Sequence, residues 1–364
     1  MTEVLLKELT NSDINWMIAT GHQKEIAAGT VLIQEGKAAD FLHILLDGIL
    51  TVNIFQPDNN PLTRAFAAIE GNEILSREIA RLTSGEVVGE LPFLGTSPIA
   101  TTVKAVEKSL IISIPIQELA AKLQQDVGFA SRFYRAIAIM LADRLQSIIN
   151  QFGRSSLAQD QPLKDVLFVL GELYDSDIDW MMACGTTQKI IANTVLIHEK
   201  GPVDALYILL DGTMSLSISE NERNPLARAF AVIEGSEISG REIARLSKGE
   251  IIGETPFIDG RLPSTTVRAV EDAIVLSISR QQMAVKLQQD VGFASRFYRV
   301  IVTLLSQRLH AMLSRLGYGR RVYSKGLSLA ENVKYEDELD INVLDRVALA
   351  GKRFDWMLER LRVN

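Results

Sequence analysis

Two consecutive copies of one sequence pattern make up most of this chain. Trp16 recurs as Trp180, 164 positions later, and the same offset holds throughout both copies. A fourteen-residue run, Lys122–Arg135, recurs letter for letter as Lys286–Arg299. The period is far longer than the roughly 20 to 50 residues of a solenoid repeat. The sequence therefore predicts the duplication of a whole domain.

Each copy has the length of an ordinary globular domain, about 150 residues, which is enough to bury a core of its own. A polar segment that contains Pro162 breaks the pattern between the copies. We therefore predict a first domain over residues 1–153, a linker over 154–166, a second domain over 167–317 and a tail over 318–364.

The composition is that of a globular protein, with 47% hydrophobic and 23% charged residues. A net charge of −7 disfavours general nucleic-acid binding, which requires a basic surface. Cys184 is the single cysteine, so no intrachain disulfide is expected, as is typical of a reducing compartment. No apolar run approaches the roughly 20 residues of a membrane span. The expected location is the cytoplasm.

Short apolar runs separated by turn residues fill the middle of each copy. They follow an opening helical pattern at Leu5–Ala19. Asp47-Gly48, matched by Asp211-Gly212 in the second copy, predicts a hairpin between the runs on either side. Many short strands with turns between them predict a mainly β domain, a jelly-roll β-barrel, in each copy.

Helical periodicity returns after the last predicted strand. The pattern predicts a short helix at Ile116–Leu123 and a long one at Val127–Phe152. An apolar stripe recurs at every fourth residue of the long helix in both copies: Phe133, Ile137, Leu141, Leu145 and Ile149, then Phe297, Ile301, Leu305, Leu309 and Leu313. The stripe either covers its own barrel or pairs with another helix, within the chain or between chains.

The tail leaves the repeat and ends in a predicted amphipathic helix. Its apolar residues near one side are Ile341, Leu344, Ala348, Phe354, Leu358 and Leu361. We favour a strap packed on the second domain over a helix that binds a partner. The long helices and the tail are the expected contacts in a homo-oligomer or with a protein partner.

Glycines and acids in a fixed order accompany the predicted strands. The first copy carries Gly29-Thr-Val-Leu-Ile-Gln-Glu-Gly36, Asp40, His43–Gly48, Val88-Gly89-Glu90-Leu91-Pro92-Phe93 and Ala100–Ala105; the second carries Gly201, Asp204, Tyr207–Gly212, Gly253–Phe257 and Ser264–Val267. This set resembles the cyclic nucleotide-binding domain, over roughly residues 3–153 and 167–317. The resemblance implies a jelly roll closed by helices, with a phosphate-binding cassette at Gly89 and at Gly253.

The resemblance also implies a ligand site in each copy. Its residues are Gly89, Glu90, Leu91, Thr101 and Thr102 in the first copy, and Gly253, Glu254, Thr255, Thr265 and Thr266 in the second. In such a cassette a helix N-terminus directs backbone N–H groups at the cyclic phosphate, and the glutamate accepts from the ribose 2′-hydroxyl. An arginine nine or ten residues later binds the phosphate. A cyclic nucleotide is thus the expected ligand class; no other cofactor and no metal is expected.

Both copies depart from that pattern at the phosphate. Ile99 and Pro263 stand where the resemblance expects arginine, and Arg261 lies two positions early. Pro92 and Pro256 remove one backbone N–H, although proline fits the first turn of a helix. A lost charge-assisted hydrogen bond costs about 1.5–3 kcal/mol, and about 1.4 kcal/mol is tenfold in affinity. The sequence predicts that ordinary binding of cyclic AMP or cyclic GMP is weakened by about two orders of magnitude or more.

A long insert between two predicted strands occurs in both copies, at 57–72 and at 221–236. It is either a binding surface or an added strand or short helix. The arginines in or just after the inserts are Arg64, Arg77, Arg81, Arg228, Arg241 and Arg245. One of them could replace the missing cassette arginine; the favoured alternative is that they are solvated or ion-paired.

Catalytic and DNA-binding signatures are missing from the sequence. The histidines, His22, His43, His198 and His310, do not lie at metal-ligand spacing, and no nucleophile or phosphate-loop motif is present. The tail shows no two-helix recognition pattern. We therefore expect neither an enzyme nor a DNA-binding protein.

Two functions fit this sequence. The first is a non-enzymatic regulatory or sensory protein of tandem domains, with atypical or lost cyclic nucleotide binding. The second is a structural protein whose duplicated domains self-associate into a higher-order oligomer or filament, since repeated surfaces on one chain favour head-to-tail contacts.

Overall fold

The computed structural model of the chain divides into two compact units, the first made of Met1–Phe152 with Ile301–Val343 and the second of Gly153–Val300 with Leu344–Asn364. The structure describes residues 3–34, 39–55, 76–89, 101–152, 168–219, 240–315 and 341–363. The inserts at 57–72 and 221–236 and the linker at 154–166 lie outside the described residues. The domain boundaries therefore stay predictions.

The first unit begins with two short helices and not with one. Its elements are α1 (Glu3–Glu8), α2 (Asn11–Thr20), β1 (His22–Ile26), β2 (Val31–Ile33), β3 (Phe41–Asp47), β4 (Leu50–Phe55), β5 (Ser76–Leu82), β6 (Val87–Val88), β7 (Thr102–Ala105), β8 (Ser109–Pro115), α3 (Ile116–Gln125) and α4 (Val127–Phe152). The helical pattern at Leu5–Ala19 is divided into two helices because Thr10 and Asp13 form a capping box. The Thr10 N–H donates to Asp13 Oδ2 at 2.8 Å, and this starts a new helix.

The second sequence copy repeats this order. Its elements are α5 (Phe168–Glu172), α6 (Asp175–Cys184), β9 (Thr186–Ile190), β10 (Val195–Ile197), β11 (Ala205–Asp211), β12 (Met214–Ser219), β13 (Gly240–Leu246), β14 (Ile251–Ile252), α7 (Thr255–Asp259), β15 (Thr266–Ala269), β16 (Ala273–Ser279), α8 (Arg280–Gln289), α9 (Val291–Arg315) and α10 (Ile341–Leu361). Helix α7 belongs to the cassette; its counterpart in the first copy, residues 90–100, lies outside the described residues.

The described strands of each unit form two four-stranded antiparallel sheets. In the first unit the strand orders are β1-β8-β3-β6 and β2-β7-β4-β5, and in the second they are β9-β16-β11-β14 and β10-β15-β12-β13. Fully buried side chains come from both sheets, as with Ile54 on β4 and Ile114 on β8. This arrangement confirms the predicted jelly roll, built from two sheets and not from one closed barrel.

The turn at Asp47-Gly48 does not make the predicted hairpin. Strand β3 pairs with β6 and β8, whereas β4 pairs with β5 and β7, so the turn carries the chain from one sheet to the other. Gly48 has φ +102°, and a Cβ at that position would collide with Ser109 at the start of β8. The glycine is thus required by a close crossing between sheets.

The fourteen identical residues form the joint between each jelly roll and its helices. In the first unit Lys122 Nζ lies 2.8 Å from Asp126 Oδ2, and Asp126 Oδ1 accepts from the Phe129 N–H to cap α4. Arg132 makes two hydrogen bonds to the buried carboxylate of Asp13, at 2.8 and 3.0 Å. The equivalent contacts recur in the second unit. The exact repetition therefore has a packing reason at Lys122, Asp126 and Arg132, whose partners are the same in both copies.

The tail helix α10 packs on the second unit, as the favoured interpretation expected. Residues Leu344–Asn364 belong to the same compact unit as Gly153–Val300. Phe354 is buried as predicted, but Ala348 is exposed, and Ala350 and Met357 are buried instead. Leu358 and Leu361 are half-buried, and the side chains of Ile341 and Leu344 lie outside the described residues.

A buried histidine makes the stability of the first unit depend on pH. His43 lies on β3 between β6 and β8, with Nδ1 2.8 Å from Ser113 Oγ. Burial lowers the pKa of its imidazole from 6.5 to about 4. Below pH 6.5 the unfolded chain takes up a proton that the folded unit does not. The free energy of unfolding should therefore fall by about 3 kcal/mol as the pH falls from about 6.5 to about 4.

Denaturant titrations of the chain between pH 4 and pH 7.5 measure this dependence. The matched control is His43→Tyr, which gives the first unit the residue that the second carries as Tyr207. This variant should lose most of the slope between these pH values. An unchanged slope in the variant would assign the pH dependence to other groups.

Candidate functional site

The cassette of the second unit begins at a glycine that no other residue replaces without strain. Gly253 has φ +80°, and a Cβ there would lie 2.9 Å from the backbone oxygen of Ala205. Glu254 follows as the N-cap of α7, and its side chain is buried. Its backbone oxygen accepts from the Phe257 N–H at 3.0 Å. The structure thus places the predicted Gly253, Glu254 and Thr255 together at the start of a helix.

Proline occupies the two positions where phosphate contacts were expected. Pro256 lies in the first turn of α7, where a proline ring fits but supplies no N–H. Pro263 is buried, and its carbonyl accepts from the Lys200 N–H at 2.8 Å. A buried proline ring therefore lies where the resemblance expects a guanidinium, and the backbone of this residue takes part in a loop contact.

The arginine nearest to the cassette is held by an acid of its own segment. Arg261 Nε lies 2.8 Å from Asp259 Oδ1 and 2.9 Å from Asp259 Oδ2, just after α7 ends at Gly260. Any contact of Arg261 with a phosphate would have to compete with this ion pair. Arg261 is therefore a poor substitute for the missing cassette arginine.

Two of the arginines that follow the inserts form ion pairs. Arg81 Nε lies 3.1 Å from Glu78 Oε1, and Arg245 Nε lies 2.7 Å from Glu242 Oε1. Both pairs are exposed. Arg241 is half-buried on β13, opposite Ile218. Arg64, Arg228 and the side chain of Arg77 lie outside the described residues.

The threonines of the second cassette lie beside a glutamate that the sequence analysis missed. Thr266 Oγ1 accepts from the Glu199 N–H at 3.1 Å, and Glu199 Oε2 accepts from the Ser219 N–H at 2.9 Å. Thr265, one residue before β15, is half-buried. Glu199 thus joins the β10–β11 loop to the cassette. The sequence does contain one signal that points to Glu199, because the first copy has a glutamate, Glu35, at the equivalent position.

Helix α7 is tied directly to the long helix α9. The Tyr298 hydroxyl donates to the backbone oxygen of Phe257 at 3.2 Å, in a fully buried contact. The rings of Phe257 and Phe297 meet edge to face, with centroids 6.4 Å apart. Any shift of α7 must therefore displace α9 or break these contacts. Sequence reasoning missed Tyr298, which lies inside the identical run.

The first cassette is described only at its ends. Gly89 has φ +87°, like Gly253. Thr101 and Thr102 are half-buried, and Thr102 lies opposite Asn53 on β4. Glu90 and Leu91, the other predicted site residues, lie outside the described residues, as do Pro92 and Ile99.

Two further findings concern the part of the chain that the structure describes. Within these residues, no three His, Cys, Asp or Glu side chains lie close enough together to hold a metal ion. No described helix is both long enough and apolar enough to cross a membrane.

Comparison with known families gives one match, which occurs twice. The model of the cyclic nucleotide-binding domain matches residues 23–126 and again residues 187–290. Each matched segment lies within one predicted domain and includes its cassette. No curated protein matches the chain.

Solved structures similar to this chain include proteins with regulatory roles in their names. The regulatory domain of Toxoplasma gondii PKA with cAMP is 18% identical, with 79% of this chain and 89% of that chain covered and a TM-score of 0.26. The regulatory subunit of a cAMP-independent protein kinase A from Trypanosoma cruzi, bound to guanosine, is 18% identical, covering 79% and 81%, with a TM-score of 0.28. A cyclic nucleotide-binding domain from Methylobacillus flagellatus is 17% identical, covering 42% and 82%, with a TM-score of 0.34.

Proposed function

Since this chain belongs to the cyclic nucleotide-binding domain family, we propose that it is a non-enzymatic regulatory protein in which ordinary cyclic nucleotide binding is weakened or lost. The observation that carries the proposal is Pro263. It fills the arginine position of the second cassette and uses its carbonyl to hold the backbone of Lys200. The phosphate of a cyclic nucleotide would therefore find no guanidinium at residue 263 and no backbone N–H at Pro256.

The sugar side of the second cassette supports binding of a different kind. Glu254 keeps the carboxylate that the resemblance assigns to a ribose hydroxyl, and it is buried at the start of α7. An atypical site is expected to keep the acid, Glu254, and to lack the cassette arginine.

A regulatory output is supported by the contact between α7 and α9. Tyr298 and Phe297 connect the cassette helix to the long helix, so that occupancy of the cassette changes the packing of α9. The function therefore requires no catalysis. It requires that α9 packs differently with and without a bound partner.

Thermal melting with a panel of cyclic mononucleotides and dinucleotides tests the proposal. Ligand at 100 times its dissociation constant stabilises a domain by about 2.7 kcal/mol, which moves the melting temperature by a few degrees. We expect cyclic AMP and cyclic GMP to give little or no shift. A saturable shift at low concentration would contradict the proposal, provided that Glu254→Ala removes it.

Self-association, the other function that the duplication suggests, has separate support. Apolar side chains are exposed on the first unit and on α10, among them Leu6, Ile18 and Trp356. Exposed apolar patches mark interaction surfaces when they are contiguous.

A further inference from the structure

Helix α10 covers the two helices that open the second unit. Arg353 Nη1 donates to the backbone oxygens of Leu170 at 2.9 Å and Leu173 at 2.7 Å, at the C-terminal end of α5. Its Nε donates to Asp175 Oδ1 at 2.8 Å. The buried side chains of α10 lie on the same side as Arg353: Ala350, Phe354 and Met357. This inner side of α10 is therefore its contact with α5 and α6.

The same surface of the first unit is apolar but exposed. Leu170, Ile178 and Met182 are buried in the second unit, and their counterparts in the first are Leu6, Ile14 and Ile18. Leu6 is 63% exposed and Ile18 is 56% exposed. We call Leu6, Lys7, Ile14 and Ile18 the α1/α2 face. A helix surface that stays apolar at all three positions, with Leu6 and Ile18 exposed and Ile14 half-buried, indicates an interaction site.

The charges of the α1/α2 face differ from those that hold α10. Asn11, Asn15 and Lys7 stand in the first unit where Asp175, Asp179 and Gly171 stand in the second. In the second unit the two acids pair with Arg353 and Arg360 of α10. The α1/α2 face thus lacks two acids and carries an added base. A partner surface that carries arginines like Arg353 and Arg360 would lose both ion pairs on the α1/α2 face. A partner surface with acids beside it would gain an ion pair with Lys7.

Helix α10 has a second apolar side that its own unit leaves exposed. Leu349 is 43% exposed and Trp356 is 38% exposed. They are seven residues apart and therefore share one side of the helix, about a quarter turn from the inner side. Two exposed acids, Asp345 and Glu359, and one exposed base, Lys352, lie beside them. A second exposed base, Arg360, lies over the Trp356 ring, 5.4 Å from its centroid, and pairs with Asp179 of its own unit. We call Leu349 and Trp356 the outer stripe.

We infer that copies of this chain associate head to tail, with the outer stripe of α10 in one copy packed on the α1/α2 face of the next. Each chain carries one outer stripe and one α1/α2 face, so the stripe of each copy packs on the face of the next. Helix α10 stays on its own unit. Apolar side chains meet on both surfaces, and the acids beside the stripe meet Lys7. Such a heterologous contact closes into a ring or grows into a filament. The inference does not depend on nucleotide binding.

Two variants of the full chain, used alone and mixed, test this geometry. The face variant carries Leu6→Glu and Ile18→Glu, and the stripe variant carries Leu349→Lys and Trp356→Lys. The native chain should grow in mass with concentration by light scattering, and each variant alone should stay monomeric. An equimolar mixture should form a 1:1 complex and stop there, since it contains one intact face and one intact stripe.

Ile191→Glu is the matched control, because Ile191 is an exposed apolar residue outside both surfaces. It should associate like the native chain. All substituted side chains are exposed, and unchanged melting temperatures would verify folding. A native chain that is monomeric at every soluble concentration would overturn the inference, as would a mixture that forms no complex. A stripe variant that still dimerises would also overturn it, because the face would then pair with itself.

Discussion

Replacing Pro263 by arginine and Pro256 by alanine raises the affinity of the second unit for cyclic AMP by about 100-fold or more. The first change supplies a guanidinium at the phosphate position, and the second restores an N–H in the first turn of α7. Each charge-assisted hydrogen bond contributes about 1.5–3 kcal/mol, and about 1.4 kcal/mol is tenfold in affinity. The carbonyl of residue 263 that holds Lys200 is kept in the variant. Isothermal titration calorimetry measures the gain.

The control for this variant is a third change, Glu254→Ala, in the same background. It removes the carboxylate assigned to the ribose, so the restored binding should disappear. Single substitutions should each give part of the gain. A folded double variant that binds cyclic AMP no better than the native chain would show that more than the phosphate contacts has been lost.

Replacing Asp177 by alanine lowers the free energy of unfolding of the second unit by about 3–5 kcal/mol. Asp177 is buried and accepts from Arg296 at 2.6 and 2.9 Å and from the Tyr174 N–H at 2.8 Å. The variant leaves the guanidinium without its carboxylate and α6 without its cap. Denaturant unfolding followed by tryptophan fluorescence measures the loss, since Trp180 lies on the same helix.

The first unit supplies a matched comparison in the equivalent variant, Asp13→Ala. Arg132 is more exposed than Arg296, at 36% against 21%, so its ion pair is better screened and the loss should be smaller. The double variant Asp177→Leu with Arg296→Met should lose less than Asp177→Ala, because no unpaired charge remains. A loss below about 1 kcal/mol for Asp177→Ala would mean that water replaces the carboxylate at Arg296.

The fold followed from the sequence wherever periodicity decided it. The long helix at Val127–Phe152 was predicted to the residue, because its stripe runs unbroken to the end. The prediction of a hairpin at Asp47-Gly48 was wrong. A short turn motif indicates that the chain reverses its direction, but it does not indicate which sheet contains the next strand. Sheet membership depends on long-range pairing, which local residues do not encode.

The candidate site was predictable only in part, for a different reason. The resemblance to the cyclic nucleotide-binding domain placed its glycine, glutamate and prolines, and Gly253, Glu254 and Pro256 lie at the start of α7. The partners of the site could not. Glu199 and Tyr298 reach it from a loop and a helix distant in sequence, and no spacing rule connects them to residue 254. The pairing of Arg261 with Asp259 likewise became visible only in three dimensions.

The identical joint contrasts with the cassettes, which differ in sequence at most positions between Leu91 and Ala100 and between Thr255 and Ser264. In the second unit this joint also contacts the cassette helix α7 through Tyr298 and Phe297, so it receives any displacement of that helix. Two domains that carry one such joint and unlike cassettes would answer two unlike stimuli with a single kind of movement. Its selectivity would then be altered by changes confined to one short segment, with the transmission left intact.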